Sequence, residues 1–311
     1  MKKILITGGA GYIGSKLSTY LLSKNYKVTV LDNQKYTIDS LNHLFSNKNF
    51  TFFKCDVRNK KVLNKFIKKN DIIIPLAALV GAPLCDKYKK EAIEINQQVI
   101  KNICKVLGKK IIIYLNSNSG YGIGIKNKYC DENSVLNPIS LYGKTKCDAE
   151  KYILKTNNFL CFRLATVFGY SYRMRTDLLV NDFTLKIIKN KKIELFESHF
   201  RRNFISIDDV VRAIDYSIKN FKKMRNNIFN LGLSSANLTK FQLAKKIKKI
   251  TKSKCIISNS SKKKDPDQRD YFVSNKKIEK MGFKTKYSLD SGIKELKNVY
   301  NNLNRKVVNN Y

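Results

Sequence analysis

Histidine is scarce in this 311-residue chain, with only His43 and His199, and none of its 7 cysteines stands in a Cys-x-x-Cys pair. Those shortages exclude a zinc cluster and a disulfide scaffold, so no metal site is expected and the thiols read as buried, reduced residues of a cytoplasmic protein. No run of about 18 apolar residues occurs, which leaves no candidate membrane span. Met1-Lys-Lys leads directly into an apolar strand candidate, and no secretion signal is expected there. Acidic residues are the next shortage: Asp and Glu number 24 against 61 Lys and Arg, a formal net charge of +37. Such a charge invites a nucleic-acid reading through phosphate neutralisation. Lys greatly outnumbers Arg, however, and is spread over nearly every candidate helix and loop. The lysines therefore read as a solvated face with nonspecific attraction for polyanions, and no specific nucleic-acid partner is expected.

What is present is an alternation. Short β-branched runs at Lys3 to Thr7, Lys27 to Leu31, Phe50 to Lys54, Asp71 to Leu76, Lys110 to Asn116 and Phe159 to Ala165 read as strands. Helices are predicted between them at Tyr12 to Ser23, Lys60 to Lys69, Glu91 to Leu107 and Leu141 to Thr156. The pattern predicts an α/β fold, a doubly wound parallel sheet with crossover helices on both faces. Beyond Phe168-Gly169 the alternation becomes irregular and a smaller lobe is expected to begin. It offers an Arg-containing loop through Arg175, a helix from Leu178 to Lys189, a strand at Phe204 to Ile207 entering a helix at Asp208-Asp209, and a strand at Asn227 to Leu231. A lysine-rich helix at Thr239 to Ile250 and a polar loop at Ser258 to Asp270 containing Pro266 follow, and the tail after Arg305 reads as frayed.

The first strand runs into Gly8-Gly-Ala-Gly11-Tyr12-Ile13-Gly14. At this spacing Gly8, Gly11 and Gly14 permit a tight turn, close approach of a pyrophosphate and close helix packing, with the helix-start amides facing phosphate oxygens. Asp32, at the end of the next strand, can accept both adenosine ribose hydroxyls. A 2′-phosphate would lie against its carboxylate, so NAD is favoured over NADP. Asn33 follows it with no nearby Arg. The plain alternative for Asp32 is a strand-end cap.

In Tyr142-Gly-Lys-Thr-Lys146 the four-residue spacing puts phenol and ammonium on one helix face. A phenol with a pKa of about 10 is a poor base at neutrality, and the charges of Lys146 and of a nicotinamide ring supply its activation. The same pair also occurs on ordinary solvent faces. Ser117, at the end of the fifth strand candidate, adds a hydroxyl for the oxygen whose carbon is oxidised.

With these motifs the chain resembles, over nearly its whole length, the extended short-chain dehydrogenase/reductase family, especially its NAD-dependent nucleotide-sugar epimerases and dehydratases. The resemblance implies a Rossmann-like domain of residues 1–168 plus approximately 203–232, and a smaller C-terminal substrate-binding lobe of approximately 169–202 plus 233–311. For the cofactor it implies Gly8, Gly11, Tyr12, Ile13 and Gly14 in the turn, Asp32 and Asn33 at the ribose, and Asp56 and Val57 at the adenine. Leu76, Ala77 and Ala78 match the loop after the fourth strand, and Asn96 a polar residue on the next helix. Ser117, Tyr142 and Lys146 match the catalytic trio, with Tyr142 and Lys146 also touching the cofactor. For the substrate it implies Val80, Ser117, Asn118, Ser119, Arg175 and Asn181, with Arg202 and Arg269 at positions that meet a diphosphate, whose geometry guanidinium donors suit. Arg175 and, outside that set, Arg173 are the weaker candidates, since a loop can carry arginine for solubility.

One departure matters. Dehydratase members carry an acidic pair immediately after the catalytic hydroxyl residue, whereas this chain has Asn118 and Ser119, neither a strong proton carrier. Dehydration is therefore disfavoured. Ser171-Tyr-Arg173-Met-Arg175, Phe200-Arg201-Arg202-Asn203 and Asp265-Pro-Asp-Gln-Arg-Asp-Tyr271 narrow the resemblance to a branch of bacterial GDP-heptose 4-dehydrogenases of capsule biosynthesis. That branch implies oxidation at C4 of GDP-D-glycero-alpha-D-manno-heptose by a homodimer packed through the helices near Glu91 to Leu107 and Leu141 to Thr156. Two rivals stay open: a UDP- or GDP-sugar 4-epimerase, in which the keto sugar turns over and is reduced on its other face, and an RNA-binding protein on a dehydrogenase scaffold.

Overall fold

The computed structural model describes residues 1–36, 39–125, 128–260 and 269–302. Its centre is a seven-stranded sheet in the order Asn227–Leu231, Phe159–Leu164, Ile111–Ser117, Ile72–Pro75, Lys3–Thr7, Lys27–Asp32, Phe50–Lys54. Every pairing in it is parallel. Alternate side chains feed two cores, as the period of two requires. Ile4, Ile6, Val28, Val30, Ile113 and Phe162 point to one face, where the helices Tyr12–Ser23 and Ile207–Lys219 cover them. Leu5, Leu31, Ile73, Ile112, Tyr114 and Cys161 point to the other, under Lys60–Lys69, Val99–Val106 and Leu141–Ile153. Because both neighbours of Lys3–Thr7 leave it in opposite directions, a crevice opens at the carboxyl ends of Lys3–Thr7 and Ile72–Pro75.

A smaller lobe follows. Thr166–Phe168 continues past the main sheet and pairs with Arg201–Ser206, which in turn pairs antiparallel with Asn237–Thr239. Lys192–Phe196 pairs with Ile256–Ser260, and Phe168, Phe183, Phe204, Leu243 and Ile293 form this lobe's own core. No helix among the described residues is long and apolar enough to cross a membrane.

Two expectations change. The single helix from Glu91 to Leu107 is three pieces, Lys89–Ile93, a π-helical turn at Glu94–Gln98, and Val99–Val106. The extra residue in the turn lets Asn96 face inward, where its side chain accepts from the Leu79 amide and donates to the Leu79 carbonyl, each at 2.9 Å. The polar stretch Ser258–Ser260, read as loop, is strand, because edge pairing with Glu194–Phe196 uses backbone groups that polar side chains leave free. Residues 261–268, including Pro266, and the tail after Arg305 lie outside the described residues.

The helix Leu141–Ile153 and the sheet are joined by a buried ion pair. Arg163 on Phe159–Leu164 meets Glu150 on Leu141–Ile153 at 2.7 Å, with side chains 5% and 3% exposed. The same guanidinium reaches the Tyr121 hydroxyl at 3.2 Å, and that hydroxyl donates to Asn230 at 2.6 Å. An Arg163→Met variant strands the Glu150 carboxylate and is expected to lose about 3–5 kcal/mol of unfolding free energy in urea titrations. A Glu150→Gln/Arg163→Met double variant recovers much of that loss if the stranded charge is its cause.

Candidate active site

The crevice is a cavity of about 500 Å³ whose walls come from both lobes. At one end the glycine turn makes its floor. Gly8 sits at φ +71°, and a methyl group there would collide with the Ala77 backbone. A methyl at Gly14 would strike the Gly8 carbonyl, so both positions are closed by packing. Gly11 differs: a methyl there would meet only the Gly8 carbonyl, at 3.1 Å, and otherwise points into open space. Gly11 is also the N-cap of Tyr12–Ser23 and has no side chain to cap it. The first-turn amides at Tyr12, Ile13 and Gly14 lack intrahelical acceptors and line open volume, a fit for a pyrophosphate.

Beside the turn, Asp32 accepts from the Ala10 amide at 2.9 Å and the Gln34 amide at 2.7 Å, which fixes the carboxylate at the cavity wall. Burial pushes its pKa up, opposed by those two amides and by the Arg173 charge. Asn33, Asp56 and Val57 line the same end. The Arg58 guanidinium, 2.7 Å from Asp56, holds that carboxyl below its usual range. Leu76, Ala77 and Ala78 complete the wall. This set fits NAD, with adenosine toward Asp32, Asp56 and Val57 and phosphates over the turn.

At the other end Ser117 closes the strand Ile111–Ser117, its amide bonded to the Asn116 side chain at 2.7 Å and its hydroxyl accepting from the Ser119 amide at 3.1 Å. Ser140 caps the helix Leu141–Ile153 by accepting from the Gly143 amide at 3.2 Å, and so sets where Tyr142 and Lys146 emerge. The Ser117 hydroxyl lies near enough to the Tyr142 phenol to influence its titration. Burial pushes the Tyr142 phenol up to about 12, and the charges of Arg269 and Arg175 and the nearby Ser117 hydroxyl oppose that rise. Burial also pulls Lys146 down to about 8, its ammonium lying 4.1 Å from the Tyr114 ring centroid. At neutral pH the lysine is still mainly charged and the phenol mainly protonated. Added positive charge beside the phenol turns it into a base.

Val80, Arg175, Arg202 and Arg269 line the remaining wall together with Tyr271. Arg175 is buried in an ion pair with Asp177. Arg202 donates to the Arg201 carbonyl at 3.0 Å and lies 5.8 Å from the Tyr271 ring centroid, while Arg269 approaches the Tyr271 hydroxyl at 3.4 Å. Two guanidinium groups thus converge on one aromatic side chain.

Four of the sequence candidates do not line the cavity. Asn96 is turned to the Leu79 backbone by the π-helical turn. Asn118 and Ser119 enter a tight helical turn, Asn118–Tyr121, which buries both behind the wall. Asn181, inside the first turn of Leu179–Lys189, accepts from the Gly169 amide at 3.1 Å and donates to the Arg175 carbonyl at 2.9 Å, so it shapes the arginine loop. Conversely, Lys240 and Tyr271 line the cavity without having been singled out. Nothing in a lysine-rich chain marks Lys240, whereas Tyr271 closes the Asp265 to Tyr271 motif and could have been read from it.

Comparison with known proteins agrees with this geometry. The model of the NAD dependent epimerase/dehydratase family matches residues 4–232, from the glycine turn's strand to the last strand of the main sheet. A dTDP-D-glucose 4,6-dehydratase of Dictyostelium discoideum is 29% identical over 279 residues, covering 81% of this chain and 62% of the relative, so this chain spans less than two thirds of it. An uncharacterised protein of Methanocaldococcus jannaschii is 30% identical, over 96% of this chain and 95% of its own length. The UDP-glucuronic acid 4-epimerase of Bacillus cereus, solved with UDP-glucuronic acid and NAD, shares the fold at a TM-score of 0.84 with 23% identity, covering 96% of this chain and 99% of that one.

Loss of the Asp32 carboxylate removes charge-assisted acceptors for ribose hydroxyls. Calorimetric titration of Asp32→Ala with NAD is expected to show binding weaker by roughly 10- to 100-fold.

Proposed function

Since the chain belongs to the NAD-dependent epimerase/dehydratase family, we propose that it is a nucleotide-sugar 4-epimerase, acting on a UDP- or GDP-linked sugar at C4. The observation that carries this reading is that Ser117, Tyr142 and Lys146 line one cavity while Asn118 and Ser119 are turned into the wall. The first three groups suffice to take a proton from a sugar hydroxyl. Neither of the two residues after Ser117 offers an acid in the cavity for expelling water.

Held by the glycine turn and Asp32, NAD would supply reversible hydride acceptance for C4. Tyr142 Oη accepts the C4 hydroxyl proton as the ketone forms and gives a proton back to the same oxygen on reduction. Ser117 Oγ holds that oxygen against the phenol, and the Lys146 ammonium lowers the cost of the phenolate. Arg202 and Arg269 hold the diphosphate while the sugar turns over. Substrate and product are isomers, so no outside oxidant is needed.

A second reading is net C4 oxidation of GDP-D-glycero-alpha-D-manno-heptose, in which reduced cofactor leaves or is reoxidised by another acceptor. It rests on the arginine motifs at Ser171 to Arg175 and Phe200 to Asn203. A homodimer through the helices Lys89–Ile93, Val99–Val106 and Leu141–Ile153 accompanies both readings, supported by exposed Ile93 at the end of the first and exposed Leu154 just past the last.

Mass spectrometry of a panel of GDP-heptose, GDP-hexose and UDP-hexose, with NADH absorbance followed in parallel, separates the two. An isomer of unchanged mass without NADH supports the epimerase; a product lacking two hydrogens with matching NADH supports the dehydrogenase. No conversion by protein that binds NAD sinks both. Tyr142→Phe is expected to keep NAD affinity and lose about 10²- to 10⁴-fold in turnover.

A further inference from the structure

The loop from Gly169 to Leu178 belongs to the smaller lobe's side of the chain, yet it is fastened across the glycine turn. Tyr12 donates its hydroxyl to the Gly169 carbonyl at 2.8 Å. Ser171 donates to the Tyr12 carbonyl at 2.6 Å, and its oxygen lies 3.0 Å from the Ser15 hydroxyl. Tyr172 stacks on His43 with ring centroids 4.1 Å apart, and His43 Nε2 is 2.8 Å from the Thr19 hydroxyl. These contacts pin the loop to the first helix and to the 3₁₀ turn Asp39–Leu44.

Arg173 follows directly. It is 4% exposed, lines the cavity, and its guanidinium lies 4.8 Å from the Tyr36 ring centroid. Its Nε and Nη2 are buried and find no hydrogen-bond partner among the described residues. Two carboxylates lie within electrostatic range, Asp32 and Asp177. Asp177 is bound to Arg175, and the Asp32 oxygens accept from the Ala10 and Gln34 amides. A buried guanidinium with idle donors is costly unless an anion completes it. The open space over Gly11 and the first-turn amides of Tyr12, Ile13 and Gly14 face the same cavity.

We propose that Arg173 binds the pyrophosphate of NAD opposite the glycine turn, making residues 169–173 a strap that retains the cofactor from one turnover to the next. The proposal rests on NAD being the cofactor. It deepens the epimerase reading, since a reaction that returns its hydride has no use for cofactor exchange. A guanidinium fork suits two phosphate oxygens, and Tyr36 backs its apolar face.

The test compares the full-length wild type with Arg173→Met, titrating NAD, ADP-ribose, adenosine and NADP, timing NAD release, and recording the ligand-free melting midpoint. Expected for the variant are NAD and ADP-ribose binding weaker by roughly 10- to 100-fold, mainly through faster release, and adenosine binding unchanged. The ligand-free midpoint should hold or rise, because an unpaired buried cation has been removed. Arg173→Lys, a single point charge, should fall between the two. NAD affinity and release matching the wild type would overturn the proposal. So would an equal loss for adenosine with a lowered ligand-free midpoint, which assigns Arg173 a structural role, or a loss confined to NADP, which assigns it to a 2′-phosphate. If the wild type itself bound no NAD, the cofactor reading would fall and the proposal with it; the other three outcomes leave that reading standing.

Discussion

One carboxylate sets the register of the candidate site. Glu150 accepts from Arg163 through both of its oxygens, and one of them also takes the amide of Asn116. Asn116 in turn holds the backbone amide of Ser117. Glu150 lies one helical turn beyond Lys146 and two beyond Tyr142, so the same buried group fixes the helix bearing the phenol and ammonium against the strand bearing the hydroxyl. Burying two charges gives little net stability when compared with a well-packed apolar pair. Its effect here is positional, since a helix sliding by one residue would leave the carboxylate facing neither partner.

The electrostatics inside the cavity differ from those outside. The surface charge of this lysine-rich chain is diffuse and screened within about 10 Å at ordinary salt. Within the cavity, Arg173, Arg175, Arg202 and Arg269 concentrate positive charge where water is limited. Arg175 among them is paired with the Asp177 carboxylate. A ligand carrying two diphosphates, one from cofactor and one from substrate, matches that distribution. Around Lys146, Cys85, Cys147 and Cys161 are all held as neutral thiols by burial, so they pack without forming a thiolate partner for the ammonium.

Much of the main sheet was legible because both faces of its inner strands are buried, so these read as mostly apolar runs and the crossover helices as amphipathic ones. The ends of Lys3–Thr7, Phe50–Lys54, Tyr12–Ser23, Lys60–Lys69 and Asn227–Leu231 fall where the sequence pattern puts them. The smaller lobe was harder to read. Thr166–Phe168 is too short for a period to show, and Ile256–Ser260 is half polar. The cofactor end of the cavity was readable because glycine spacing encodes backbone geometry directly. That Asn96, Asn118, Ser119 and Asn181 lie off the cavity wall was not legible, because a polar side chain carries no mark of whether it faces a ligand or the protein interior. That choice is made by the π-helical turn, the tight turn after Ser117 and the start of Leu179–Lys189.

The outermost strand of the sheet, Asn227–Leu231, comes from far along the chain and pairs beside Phe159–Leu164, all of whose residues are buried in the finished protein. On the ribosome the inner strand emerges first and waits for its neighbour. At about 5–20 residues per second, the interval is on the order of several seconds. During it an apolar ribbon with unpaired amides and carbonyls is open to any other extended chain. The topology that completes the enzyme's sheet thus also creates its most vulnerable moment, when a chaperone or a slow, dilute start to synthesis decides between folding and aggregation.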